Sequence, residues 1–205
     1  MAGDEMLSDA IVERAISGFP VIYPTSNLPA LGCVPTTDAL DLLYKLKQRK
    51  AEMKVSLAVS DLEQAAEIVE VNQNVVRLLS DFPTGSLTLV LPALKQMDER
   101  VGGDKIAIRV IDTPITQLLL KRVGPLTATS ANLSGIEPET DCDSAALALD
   151  LDSNAVISSN CTGGPPSTLI QCHDYAGLMS GEQLLVLREG IVSKSEVKAW
   201  SMKMN

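Results

Sequence analysis

Histidine and aromatic side chains are nearly missing from this chain: a single histidine, His173, and 3% Phe, Trp and Tyr in 205 residues. With His173 alone available for every triad, no Ser-His-Asp constellation is evident. The four cysteines, Cys33, Cys142, Cys161 and Cys172, form no C-x-x-C pair and no zinc spacing. Metal coordination by Cys and His is therefore not expected, and the thiols read as free and mostly buried in a reducing compartment. No apolar run approaches the roughly 20 residues that span a bilayer. The opening MAGDEMLSDA carries acids where a signal peptide carries positive charge. A cytoplasmic protein with no membrane attachment is expected. Positive charge is also in deficit, with 17 Lys and Arg against 26 Asp and Glu for a net charge of −9. That argues against broad non-specific binding to DNA or RNA, which depends on neutralising phosphates. One basic groove on an acidic whole is still compatible with it. Neither G-x-x-x-x-G-K-[ST] nor G-x-G-x-x-G occurs, so any nucleotide is held by another device.

What is present suits one domain with a sizeable core. The hydrophobic fraction is 45%, and with so few aromatics the core must be built from Leu, Val, Ile and Ala. Helical spacing marks 7–19, with Ser8 or Asp9 as cap, and a helix from Thr36 or Thr37 to about Lys50. Asp61 caps a helix to about Val69; 72–80, 114–123 and 193–200 are helical too. Strand patterns fall at 20–23, 55–59, 87–91, 106–110, 156–158, 168–170 and 184–187. Alternating helices and strands without repeats or linkers predict an α/β (α+β) fold, a mixed sheet with helices on its faces.

Two polar features stand out. Thr127-Ala128-Thr129-Ser130-Ala131-Asn132-Leu133-Ser134-Gly135 packs hydroxyls, an amide and a glycine together, as a site for a polyanion or carboxylate requires. On its own the part from Thr129 to Gly135 reads as a polar loop after a strand. Lys45, Lys47, Arg49, Lys50 and Lys54 form the only dense basic cluster. At a helix C-terminus such a cluster is satisfied by the helix dipole, and residues two apart point in different directions on a regular helix. If the helix unwinds there, Lys47 and Arg49 both reach a phosphate chain. Arg109, inside the apolar strand Ile106-Ala107-Ile108-Arg109-Val110, must face solvent, pair with a carboxylate or point into a cleft. Arg188 poses the same question.

In order along the chain, these residues resemble the YrdC-type threonylcarbamoyl-AMP synthases. The likeness covers about Ile11 to Ile191. The family's YPTDTxYGLG loop is similar to Tyr23-Pro24-Thr25-Ser26-Asn27-Leu28-Pro29-Ala30-Leu31-Gly32. Its K-x-R matches Lys47-Gln48-Arg49, and its S-x-N falls on Ser130-Ala131-Asn132 inside an intact TSANLSG. Arg109-Val110-Ile111 looks like its RVP, Pro166-Ser167-Thr168 like its P-S-T, and Leu187 to Gly190 is its LREG. The resemblance implies a twisted mixed sheet with flanking helices and a concave basic cleft. It also implies a single domain over 1–205 with its core at about 11–191 and a short C-terminal tail, lacking the second domain of longer members.

The implied reaction joins L-threonine, bicarbonate and ATP into L-threonylcarbamoyl-AMP and pyrophosphate. Mg²⁺ accompanies the ATP, held largely by phosphate oxygens and water. Downstream partners are the tRNA threonylcarbamoyl-transferase proteins, which modify the adenosine beside the anticodon; weak RNA binding in the basic cleft is a further expectation. By position, Lys47 and Arg49 are the implied catalytic residues on the ATP phosphates. Asn132, Thr140 and Arg188 are implied on the nucleotide, and Asn27, Arg109, Ser130 and Ser167 on threonine. The chain departs from the family where PTDT becomes Pro24-Thr25-Ser26-Asn27 and Tyr-Gly becomes Pro29-Ala30. Met53 stands where the family often has a lysine, with Lys54 one position on. A paralogue acting on another amine and a non-catalytic RNA-binding module are the alternatives.

Overall fold

The computed structural model describes residues 7–172 and 184–203; His173 lies outside them. Eight strands form one sheet in the order β1-β2-β6-β3-β5-β4-β7-β8. They are β1 Val21–Tyr23, β2 Ala30–Gly32, β3 Ser56–Val59, β4 Leu87–Pro92, β5 Lys105–Val110, β6 Leu126–Ser130, β7 Thr168–Cys172 and β8 Leu184–Arg188. The β3–β5 and β4–β7 pairs are parallel and the other neighbours antiparallel, so the expected mixed sheet is present. The helices are α1 Asp9–Ile16, α2 Thr37–Lys47, α3 Leu62–Ala65, α4 Gln73–Asp81, α5 Pro114–Val123, α6 Cys142–Ala148 and α7 Lys194–Met202. Most begin as their sequences dictate. Ser8, Asp61, Asn72 and Ser193 each accept a first-turn N–H, and Pro114 opens α5. No described helix is long and apolar enough to cross a membrane.

Alternate strand residues go to opposite faces of the sheet. Leu57, Leu89, Ile106, Ile108 and Ile170 point to one face, into a core shared with Leu40 and Leu43 of α2, Leu78 of α4, Ala145 of α6 and Trp200 of α7. The Trp200 indole N–H donates to Asp81 at 2.7 Å, fastening α7 to α4. Val21, Tyr23, Ala30, Ala58 and Leu126 point to the other face, beneath Ile11 and Val12 of α1 and Leu119 and Leu120 of α5. Among the described residues, that second core does not extend over β4 or β7. The uncovered stretch of sheet becomes the floor of a cleft.

Several sequence expectations are corrected. The second helix stops at Lys47 rather than Lys50, because Gln48 adopts a left-handed conformation with φ 50°. The helix after Asp61 is only α3; Val69 instead bridges Ala93, and Leu94 N–H bonds Ile68 O. At 156–158 there is an isolated bridge, Ile22 to Val156, rather than a strand. Thr129 and Ser130, read as the start of a polar loop, end a central strand, Leu126–Ser130, in which Cys33 N–H donates to Thr127 Oγ1 at 2.9 Å and Ser130 Oγ bonds Asn132 Oδ1. Strand β2 and helix α6 were not anticipated.

Gly32 sets the closeness of β1, β2 and β6. A Cβ there would lie 2.2 Å from Thr127 O and 2.7 Å from the Tyr23 ring. Tyr23 cannot easily yield, since its hydroxyl donates to Thr127 O at 2.7 Å and the ring is fully buried. Gly32→Ala should therefore lower unfolding free energy by about 1–3 kcal/mol, the usual cost of overpacking. A urea titration with an unchanged slope would measure it; a wild-type midpoint would refute the close packing.

Candidate active site

The cleft has a volume of about 720 Å³ and is floored by the uncovered face of the sheet. Ser56 of β3, Thr88 and Val90 of β4, Lys105, Ala107 and Arg109 of β5, Ala128 and Ser130 of β6, and Leu169 and Gln171 of β7 all line it. The spacing of two is the strand period, so the strands that send Leu and Ile into the core send these residues into the cleft. Arg49, Lys54, Lys105, Arg109 and Arg188 line the same space, and among the described residues no Asp or Glu does. In a chain of net charge −9, the described residues gather five cations around one concavity and give its lining no carboxylate, a local concentration of positive charge.

Arg109 points into the cleft and is held there. Its Nε donates to Gly85 O at 2.8 Å, and its terminal nitrogen donates to Asn27 Oδ1 at 2.9 Å and Ser26 Oγ at 3.2 Å. Burial pushes its pKa down from the usual guanidinium range, with Asp112 acting the other way; arginine stays charged regardless. Asn27 is itself buried, and its Nδ2 donates to Pro165 O at 2.7 Å. The Asn27 side chain thus braces Arg109 rather than presenting a free amide. Ser167 Oγ lies 2.7 Å from Thr88 Oγ1, both buried at the cleft floor. Each hydroxyl carries one proton, so the pair leaves one O–H for a ligand. Arg188 donates to Ser167 O at 2.8 Å.

Lys47 occupies a different position. It is 1% exposed, and its ammonium donates to Ser130 O at 2.5 Å, Asn132 O at 2.6 Å and Asn132 Oδ1 at 3.3 Å. Its three donors are spent within the protein. Direct contact with a phosphate was the expectation; here Lys47 acts on the cleft through the Ser130–Asn132 turn beside it. Ser130 Oγ also bonds Asn132 Oδ1 at 2.5 Å. The left-handed Gln48 reverses the chain so that Lys47 enters the interior while Arg49 turns to the cleft, anchored on Met53 O and Lys54 O. The unwinding that both residues required is this single turn. Thr140 is exposed and is absent from the cleft lining; its carbonyl accepts from Cys161 N–H at 2.8 Å.

A family model for Sua5, yciO and yrdC proteins, described as "Telomere recombination", matches residues 15–190. The chain belongs to the Sua5/YciO/YrdC family. Among relatives, a threonylcarbamoyl-AMP synthase of Vibrio parahaemolyticus is 36% identical over 137 residues, 63% of this chain and 74% of that protein. One of Bacillus subtilis is 30% identical over 87% of this chain and 52% of its own length. The solved P. abyssi Sua5 complexed with L-threonine superposes with a TM-score of 0.77 at 23% identity, over 92% of this chain and 55% of that one. Escherichia coli YciO superposes at 0.72 with 26% identity, over 91% and 89%. The chain thus spans about half of the Bacillus and P. abyssi proteins.

Within this family frame, Asn27, Arg49, Arg109, Ser130, Ser167 and Arg188 all meet at one cleft. Sequence reading missed Ser56, Thr88, Lys105 and Gln171. Their signal was the period of two along β4, β5 and β7: Thr88 with Val90, Lys105 with Arg109, Leu169 with Gln171.

Burial pushes the Lys47 pKa down from 10.5 to about 8, with the neighbouring Arg49 charge adding to the effect. Between those values the unfolded chain holds a proton that the folded one has released, so stability rises with pH there. Lys47→Met removes the clamp and leaves Ser130 O with only the Asn132 N–H and Asn132 O without its lysine donor, at a cost of about 1–3 kcal/mol. The wild-type advantage over Lys47→Met should grow between pH 8 and 10.5 in parallel denaturant titrations. A constant difference would mean that Lys47 titrates normally.

Proposed function

We propose that this protein makes L-threonylcarbamoyl-AMP from L-threonine, bicarbonate and ATP, releasing pyrophosphate and water. The product would supply proteins that transfer the threonylcarbamoyl group to tRNA adenosine beside the anticodon. The observation that carries this reading is the cleft with five cations and no carboxylate, in a chain of the family to which named threonylcarbamoyl-AMP synthases belong.

The chemistry needs no protein nucleophile. The threonine amine attacks the bicarbonate carbon, water leaves, and a carbamate oxygen attacks the α-phosphorus of ATP as the bond to pyrophosphate breaks. Positioning and neutralisation of developing charge are what the protein must supply. Arg109, braced by Asn27 and Gly85 O, suits a carboxylate with its planar fork. The Thr88–Ser167 hydroxyl pair lies on the same floor. Arg49 and Arg188 suit the phosphates, and Lys47 fixes the Ser130–Asn132 turn. Among the described residues the cleft offers a divalent cation no carboxylate, and no cluster of three His, Cys, Asp or Glu fit for a metal occurs. Mg²⁺ would therefore arrive on ATP, held by phosphate oxygens and water.

Pyrophosphate release should require ATP, bicarbonate and threonine together, with the adenylate seen by mass spectrometry. Arg109→Lys keeps the charge but loses the fork, and should raise KM for threonine about tenfold or more. Release with a different amino acid would move the protein to an amine-switched paralogue. Salt-sensitive RNA binding without turnover would replace the enzyme reading altogether.

A further inference from the structure

Two of the four free cysteines belong to one small antiparallel pairing. Asp141 pairs with Asn160, the Cys142 N–H donates to Ser159 O at 3.0 Å, and the Cys161 N–H donates to Thr140 O at 2.8 Å. Cys142 and Cys161 each stand one position beyond the paired residues, so both side chains leave on the face opposite Asp141 and Asn160. Diagonal neighbours of this kind lie about 7–8 Å apart at Cα, just beyond the span of a relaxed disulfide. Both thiols turn to the same core: Cys142 is fully buried in it, and Cys161, partly exposed, packs on its edge.

The two sulfurs differ in character. The Cys142 thiol is aimed at the Cys161 sulfur, which holds the proton on Cys142 and pulls Cys161 below the usual thiol range. The Thr25 N–H and the Arg109 charge favour the same thiolate, and burial opposes them. Burial pushes the Cys33 and Cys172 thiols up to about 11, which makes them the less reactive pair. Cys161 also opens the stretch that holds Asn27 in place. Gly163 N–H donates to Asn27 O at 2.8 Å, Pro165 O accepts from Asn27 Nδ2 at 2.7 Å, and Asn27 Oδ1 accepts from Arg109 at 2.9 Å. A shift of Cys161 therefore reaches the Arg109 guanidinium through Asn27.

We propose that Cys142 and Cys161 form a reversible disulfide when hydrogen peroxide reaches the protein, and that this bond loosens the Asn27 brace on Arg109. The Cys161 thiolate attacks a peroxide oxygen and the O–O bond breaks, leaving a sulfenic acid and a hydroxide that takes up the proton the thiol had lost. The Cys142 sulfur then attacks the sulfenic sulfur, the S–O bond breaks, and the hydroxyl leaves with the Cys142 proton as water. The thiols lose two electrons and hydrogen peroxide becomes two waters; an external dithiol reverses the bond by exchange. Closing the pair draws the 159–163 stretch toward α6 and removes the charge that the Thr25 N–H meets. The effect on threonine rests on the synthase reading above, whereas the disulfide does not.

Stoichiometric hydrogen peroxide on the reduced protein, followed by peptide mapping without reductant, should link the peptides that carry Cys142 and Cys161 and remove two of the four free thiols. Cys142→Ser should instead stop at a sulfenic acid on Cys161 that dimedone traps, and Cys161→Ser should leave Cys142 a thiol, with folding of both checked by thermal melts. Oxidation of Cys33 or Cys172 as fast as Cys161, or no trapped sulfenic acid in folded Cys142→Ser, would overturn the disulfide. Calorimetric titration should show threonine binding about tenfold weaker after oxidation, the scale of one charge-assisted hydrogen bond, with recovery in dithiothreitol and no change when Cys161→Ser is treated alike. Equal threonine affinity in the two states would overturn the link to Arg109. Reduced wild type that binds no threonine would count against the synthase reading alone, since the linked peptides are seen without any ligand.

Discussion

A buried ammonium joins the two polar segments from which this cleft is made. Lys47 is the last residue of α2, and its three donors fasten the end of β6 through Ser130 O, Asn132 O and Asn132 Oδ1. Ser134 N–H returns a bond to Lys47 O at 3.0 Å, so the tie runs both ways. A lysine is costly to bury, which is why burial pulls its pKa down toward 8. It is tolerated because every proton has an oxygen to meet. Without it Asn132 O would lose its lysine donor and Ser130 O would keep only the Asn132 N–H, so the turn after β6 would be tied to α2 by fewer bonds. Lys47 therefore stands behind the cleft wall, holding the Ser130–Asn132 turn, rather than in the lining itself.

The second constraint is electrostatic. A net charge of −9 keeps polyanions from most of the surface, yet one concavity gathers five cations and, among the described residues, no carboxylate. Segregation of this kind steers small anions to one place without making the whole protein sticky for nucleic acid. Lys105 and Arg109 share a face of β5, and the strand's rise sets these two cations about 13 Å apart along the cleft floor.

The sheet and most helices were legible in the sequence because their signals are local: caps at Ser8, Asp61, Asn72 and Ser193, Pro114 at a helix start, apolar alternation on β3 and β5. The elements that were missed depend on distant partners. β2 is only Ala30–Gly32 and exists because Gly32 allows Thr127 O to approach. The end of β6, Thr129 and Ser130, looked like the start of a polar loop because what holds the strand, such as the Cys33 N–H on Thr127 Oγ1, lies far away in sequence. The same distinction holds for the site. The K-x-R and S-x-N pairs were visible as motifs, but the clamp that joins Lys47 to Asn132 is a contact across 85 positions that no local pattern encodes. Thr88 and Lys105 were hidden in strands read only for their apolar half.

The altered segment Pro24–Asn27 is where a fixed geometry matters most. Thr116 Oγ1 donates to Pro24 O at 2.7 Å, tying the segment to α5. Thr162 Oγ1 bonds Ser26 O, and Gly163 N–H donates to Asn27 O at 2.8 Å, tying it to the 160–165 stretch. Asn27 ties it to Arg109 on β5. A segment fastened to three elements has little freedom to fold over a substrate, so discrimination there depends on preformed distances rather than on closure. The fixed points on offer are the Arg109 guanidinium and the Thr88–Ser167 hydroxyl pair. An amino acid with a carboxylate at one and a side-chain hydroxyl at the other would satisfy both. An amino acid without that hydroxyl would leave a buried O–H unpaired, and a cost of that kind is what lets a rigid polar site reject close analogues.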